Sequence, residues 1–205
     1  MKNRFQNLVK IPIDPPAKML SLANIRLDTP LDAPASATTE QVLVELEQKE
    51  AWFDILMLLA VLLPVRERIW WACLAARDYI GPKTDKDPLP LATSEAWVFE
   101  PSEENRDRAR KSLDNAYVDD DTVHCATAVL YCDGTLGPGD LSQFPAPAGV
   151  TEASAFAMNM VALGQLSDRF EEYMQVLIER GLDIARGGKG NIVLNELMPE
   201  LEGET

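Results

Sequence analysis

Apolar residues between positions 39 and 188 recur at helical spacing and almost nowhere alternate. The most regular stretch is Ala153, Phe156, Met160, Leu163, Ser167, Phe170, Met174, Leu177, Gly181 and Ile184, each three or four residues after the last. That stripe predicts one long bundle helix, or two joined near Gly164–Ser167; a lone coiled coil is the sharper alternative. Upstream, Thr38 stands three residues before Gln41, a capping-box spacing that starts a helix over 40–48. A second helix follows through Trp52, Phe53, Leu56, Leu59, Ala60 and Leu63. Pro64 suits the first turn of a third, and Gly81-Pro82 stops it.

A short helix over 93–99 carries Trp97. Pro101-Ser102, followed by Glu103 and Glu104, opens a helix to about residue 118. Asp119-Asp120-Asp121 heads another that reaches Cys132. Gly/Pro-rich loops occupy 81–90 and 133–149. No strand ladder emerges, so the expected class is all-α, a single multi-helix bundle over 39–188. Residues 1–38 hold Pro12, Pro15, Pro16, Pro30 and Pro34 and read as an extended arm; its Leu8, Val9, Ile11, Ile13, Met19 and Leu20 are able to strap it onto the domain. Residues 189–205 read as an acidic tail.

One segment resists the simple amphipathic pattern. "PVRERIWWACLAARDYIG" (residues 64–81) sets two tryptophans side by side within a helix. At about 100° per residue, Val65, Ile69, Ala72, Cys73, Ala76 and Ile80 share one face, Trp70 and Leu74 a second, Trp71 and Ala75 a third. Such an apolar circumference marks a helix at the centre of a bundle. Arg66 and Arg77 are spaced for a cation–π contact with Trp70, which makes Trp70 the better core residue. Trp71, flanked by Glu67 and Asp78, is the one to test for exposure as a partner's anchor.

Charge narrows the partners. With 33 acidic against 19 basic residues the net charge is −14, which repels nucleic acid and anionic membranes. The longest apolar run, Ile55–Leu63, is far short of the about 20 residues that a spanning helix needs. No signal core opens the N-terminus, and three cysteines without a CxxC pair read as reduced thiols. The expectation is a cytoplasmic protein without a disulfide framework or structural zinc.

The chemistry-bearing residues are sparse. The one histidine, His124, lies next to Cys125 but points elsewhere on a helix, so the two make no dyad. Asp119, Asp120 and His124 are the best candidates for a carboxylate-bound metal, although a helix start explains the aspartates equally. Glu47/Glu50 and Glu104/Asp107 have the spacing of paired acids in helical pyrophosphohydrolases but lack the further pairs that chemistry requires. "ARGGKGN" (residues 185–191) departs from a P-loop at Asp183 and Gly190. Arg106, Arg108, Arg110 and Lys111 are the densest bases. They are able to grip an acidic partner or a phosphate, or to pair along the helix as Glu104–Arg108, Asp107–Lys111 and Arg110–Asp114. No cofactor is expected. Trp71, Trp97, Arg106 and Arg110 are the candidate partner-binding residues.

The ordered set "PVRERIWWACLAARD", "EAWVFEPSEENR", "CATAVLY" and "RGLDIARGG" resembles an uncharacterised family of small bacterial helical proteins. Trp-Trp-Ala-Cys and Gly-x-Asp-x-Ala-Arg-Gly are the most specific segments, and the resemblance spans about residues 50–188. That family looks like one encoded near type VI secretion genes, often beside PAAR-like spike-tip proteins. The resemblance implies a non-enzymatic accessory, adaptor or chaperone-like protein with a spike or effector component as partner. It carries over no catalytic residue and no oligomeric state. A metal-dependent hydrolase and an immunity-type protein with a single partner are the alternatives.

Overall fold

The computed structural model describes residues 3–192. Among them lie α1 (Pro16–Leu22), α2 (Thr39–Gln48), α3 (Trp52–Leu62), α4 (Val65–Ile80), α5 (Leu89–Phe99), α6 (Glu103–Asp114), α7 (Val123–Leu130), α8 (Val150–Gln165) and α9 (Phe170–Ala185). The class is all-α: apart from an isolated bridge between Thr135 and Pro145, the described residues pair no β-structure.

Local chemistry sets the helix ends. At α2 the capping box forms as expected: Thr38 Oγ1 accepts from Gln41 N at 3.3 Å, and Gln41 Oε1 accepts from Thr38 N at 2.9 Å. Helix α5 begins earlier than expected because Pro90 fits its first turn, where a missing N–H is no loss. Helix α6 stops well before residue 118, where Asn115 Nδ2 takes the carbonyl of Lys111 at 2.8 Å. The aspartate triplet precedes α7 instead of forming its first turn. Asp120 Oδ1 accepts from Thr122 N at 3.0 Å and from Thr122 Oγ1 at 2.5 Å, a side-chain turn that feeds the helix.

The long stripe divides at residues 166–169 into α8 and α9. It holds in α9, where Met174, Leu177, Gly181 and Ile184 are buried. In α8 Leu163 is buried and Phe156 and Met160 pack partly buried on the core, but a second buried face runs through Thr151, Ala155, Met158 and Ala162, while Ala153 is exposed. The small residues of that face let α8 run along the Ala72–Ala76 side of α4.

Helix α4 is the shared wall of two core layers. Trp71 and Ala75 join the layer made by α2, α3, α9 and the N-terminal segment. Ile69, Ala72, Cys73 and Ala76 join the layer made by α5, α6, α7 and α8. This double duty accounts for its apolar circumference. Two buried arginines stabilise the layers by taking up the orphan carbonyls of helix ends. Arg68 Nη2 donates to Val61 O and Leu63 O, both at 2.9 Å, closing α3, and Arg68 Nη1 pairs with Glu152 at 2.7 Å. Arg106 does the same for α7.

The N-terminal segment is not a free arm. Phe5, Ile11 and Leu20 enter the core, and Lys10 N donates to Ala185 O at 2.9 Å. Asp54 accepts from the amides of Asp28 and Thr29 at 2.9 and 2.8 Å. Gly149, at φ +77°, lies so close that an added Cβ would stand 2.1 Å from Ala23 O. The boundary expected at residue 189 also falls inside the body, because Gly190 is buried and Ile192 packs on the core. The rest of the expected acidic tail, 193–205, lies outside the described residues.

Candidate functional site

Trp70 and Trp71 have opposite fates. Trp71 is 0% exposed, and its Nε1 donates to Leu177 O at 3.0 Å. Gly181 gives it room: a Cβ there would come 3.5 Å from the indole and 3.0 Å from Leu59 Cδ1. Trp71 therefore cannot anchor a partner, which corrects the expectation. Its flanking acids serve elsewhere: Glu67 pairs with Lys10 at 2.8 Å, and Asp78 pairs with Arg180 at 2.5 Å.

Trp70 is only half-buried, and it lines a cleft of about 910 Å³. One wall is the C-terminal end of α5. Arg66 reaches across to it, its Nε donating to Val98 O at 2.6 Å, and Asn105 Nδ2 holds Glu100 O at 2.9 Å. These bonds fix a turn that leaves Phe99 86% exposed at the cleft's edge. Neither Arg66 nor Arg77 makes the expected cation–π contact with Trp70. Arg77 forks instead onto Glu95 at 2.6 and 2.7 Å and onto Asp87 at 2.5 Å. The Arg77 hydrogen bond holds the Asp87 carboxyl down at about 2.

The opposite wall is the loop after α9. Trp70 Nε1 donates to Lys189 O at 2.9 Å. Asp183 shapes this loop: its carboxylate accepts from Gly190 N at 2.8 Å and fills the space where a Gly188 Cβ would fall, 2.1 Å from Oδ2. Gly190, at φ +73°, is hemmed in by Leu74, Ile184 and Arg180. Arg180 completes the brace with bonds to Gly190 O at 3.1 Å and Ile192 O at 2.8 Å. The glycine-rich run is thus wrapped around a carboxylate of its own chain, the opposite of a phosphate cradle.

The cleft's charge differs from that of the whole molecule. Its lining includes Arg66, Lys83, Arg108 and Lys189. Of its three glutamates, Glu67 pairs with Lys10, and Glu95 is shared by Arg77, which also holds Asp87, and by Lys83 at 3.8 Å, which leaves Glu100. Arg108 pairs with Glu104 at 2.6 Å, whereas Lys189 has no ion pair among the described residues. A positive, aromatic cleft thus opens in a chain of net charge −14.

The other expected residues lie elsewhere. Trp97 is buried in the second core layer, half a turn of helix from Phe99. Arg106 is 1% exposed; it holds Leu130 O with two bonds of 2.9 and 2.7 Å and forks onto Asp133 at 2.5 and 2.6 Å. Both are structural, which corrects their place among the partner-binding residues. Arg110 lies on a half-exposed face, joined to Asp107 at 3.0 Å and Asp114 at 3.5 Å, and Lys111 reaches Asp107 at 2.6 Å. These are the helix pairs that the spacing predicts, and Arg110 lies outside the cleft lining.

Asp119, Asp120 and His124 do not converge. Among the described residues no group of three or more His, Cys, Asp or Glu side chains is placed to hold a metal ion. Glu47 is taken by Arg4 at 2.7 Å. Cys73 and Cys125 face each other inside the second layer, and that contact together with burial pushes the Cys73 thiol well up, so it resists forming thiolate. No helix of the described residues is long and apolar enough to cross a membrane.

Residues missed from sequence were Trp70, Phe99 and Lys189. Phe99 carried a usable signal: two residues after Trp97 on one helix, it has to face away if Trp97 faces in. Lys189 carried none, because its place depends on Asp183 folding the loop back.

Residues 42–185 match the model of DUF6931, a family of unknown function, and the chain belongs to that family. No curated protein and no solved structure matches it. The matched span includes Trp70, Phe99, Arg180 and Asp183, but neither most of the N-terminal segment nor the 187–191 loop.

Proposed function

We propose that this protein is a non-enzymatic accessory, an adaptor or chaperone-like factor, which takes an apolar, acidic segment of a protein partner into the cleft between α4, α5 and the loop after α9. The observation that carries this reading is Phe99. A phenylalanine 86% exposed beside a half-buried tryptophan, at the edge of a concave cationic surface, is the composition of a peptide-binding hot spot. Exposed cleft bases, Arg66 and Lys189 among them, on an otherwise acidic protein also select for a partner of opposite local charge.

The resemblance to proteins encoded near type VI secretion genes extends the reading to a spike or effector component as that partner. Tagged wild-type protein and the Phe99→Ala variant, expressed in the native host, test it. Wild type is expected to retain a spike or effector component that the variant loses by at least about ten-fold, the scale of one hot-spot aromatic. Equal retention by both, or retention of neither component, overturns the reading.

A further inference from the structure

The chain leaves its described part at the cleft. Gly188, Lys189 and Asn191 line it, and Ile192 is held just beyond by Arg180. The next thirteen residues, "VLNELMPELEGET", carry Glu196, Glu200, Glu202 and Glu204 and no base. Val193, Leu194, Leu197, Met198 and Leu201 supply apolar side chains between those charges.

We infer that this segment, residues 193–205, is the resident occupant of the cleft and competes there with the partner. The inference rests on the reading of the cleft as a peptide-binding surface. Three observations converge on this occupant. The segment starts at the cleft wall, and thirteen residues reach up to about 43 Å, ample to cross a cleft of about 910 Å³. Its four glutamates suit a surface that presents Arg66 and Lys189, with Lys83 and Arg108 beside them in pairs with Glu95 and Glu104, the reverse of the repulsion offered by the rest of an acidic molecule. Its leucines and methionine match Trp70 and Phe99, which the described residues leave partly uncovered. Tethering raises the local concentration of the segment to about the millimolar range, so even a weak match keeps the cleft filled.

The test uses the full chain and a variant of it, Leu197→Ser with Leu201→Ser, whose changes lie beyond the described residues. A fluorescent peptide of residues 193–205 is titrated into each and followed by anisotropy. The variant is expected to bind the peptide at least about ten-fold more tightly than wild type, because a millimolar tethered competitor has been removed. Adding Phe99→Ala to the variant is expected to abolish that binding.

Equal affinities for the two chains, no binding to either, or binding indifferent to Phe99→Ala overturn the inference. If wild type sediments as a dimer and the variant as a monomer, the occupant is a second copy's segment, which overturns occupancy within one chain. The two readings fail separately. Partner retention that depends on Phe99 but not on residues 197 and 201 leaves the adaptor standing without its resident segment. Peptide binding without Phe99-dependent partner retention does the reverse.

Discussion

The two sides of α4 make opposite use of the same residue type. Toward α9, Trp71 is sealed against Gly181 and Leu59 with its one polar atom bonded to Leu177 O. Toward the cleft, Trp70 is tied at its Nε1 to Lys189 O, and part of its ring stays open to solvent. The first side has no spare surface. The second has an aromatic platform, a lysine without an ion pair among the described residues and an exposed phenylalanine within one concavity. The difference comes from the opposing wall. Gly181 brings a rigid helix against Trp71, whereas Trp70 faces a loop that stands off on the Asp183 brace.

Five substitutions break or sharpen that contrast. The largest effect belongs to Trp71→Ala, which is expected to cost about 3–5 kcal/mol in urea denaturation by leaving a cavity in the core. Next is Arg106→Ala, at about 3 kcal/mol, because Leu130 O loses its donors and Asp133 its partner. If α6 stayed intact through a loss below about 1 kcal/mol, Arg106 would not be the structural residue described here. Trp70→Ala is expected to cost only about 1–2 kcal/mol, with the loop after α9 gaining faster amide exchange at Gly190.

A smaller effect on folding belongs to Phe99→Ala, within about 0.5 kcal/mol of wild type, although it is expected to be the most damaging to partner retention. A stability loss at Phe99 as large as that at Trp71 would erase the distinction between the two sides. Arg110→Ala is a control on α6: its pairs are surface pairs and it is expected to change neither property measurably.

Much of the fold was legible from residues alone. Helix periods, the Thr38–Gln41 cap and the Gly81 stop depend on neighbours a few positions apart, so spacing reveals them. The ion pairs of α6 belong to the same class. The assignment of Trp70 and Trp71 was inverted because flanking charges were read as partners of the rings. In the structure Arg66 and Arg77 serve the ends and edge of α5, Glu67 serves Lys10, and Asp78 serves Arg180. Each of those choices is made by a residue distant in sequence, which a helical wheel does not contain. Arg106 and Arg68 were hidden for a related reason: a guanidinium that closes another helix looks, in sequence, like any surface base.

The fastening of the N-terminal segment also has a bearing on how the protein is made. Arg4 reaches Glu179 across 175 positions, and Lys10 bonds the backbone at Ala185, the last residue of α9. Synthesis delivers Phe5 and Ile11 long before the α9 residues that hold their segment, so these apolar residues wait for their cover. Closure of such long loops is slow relative to local helix formation. A nascent chain paused before α9 has eight helices in hand and an N-terminal strap with nothing to hold.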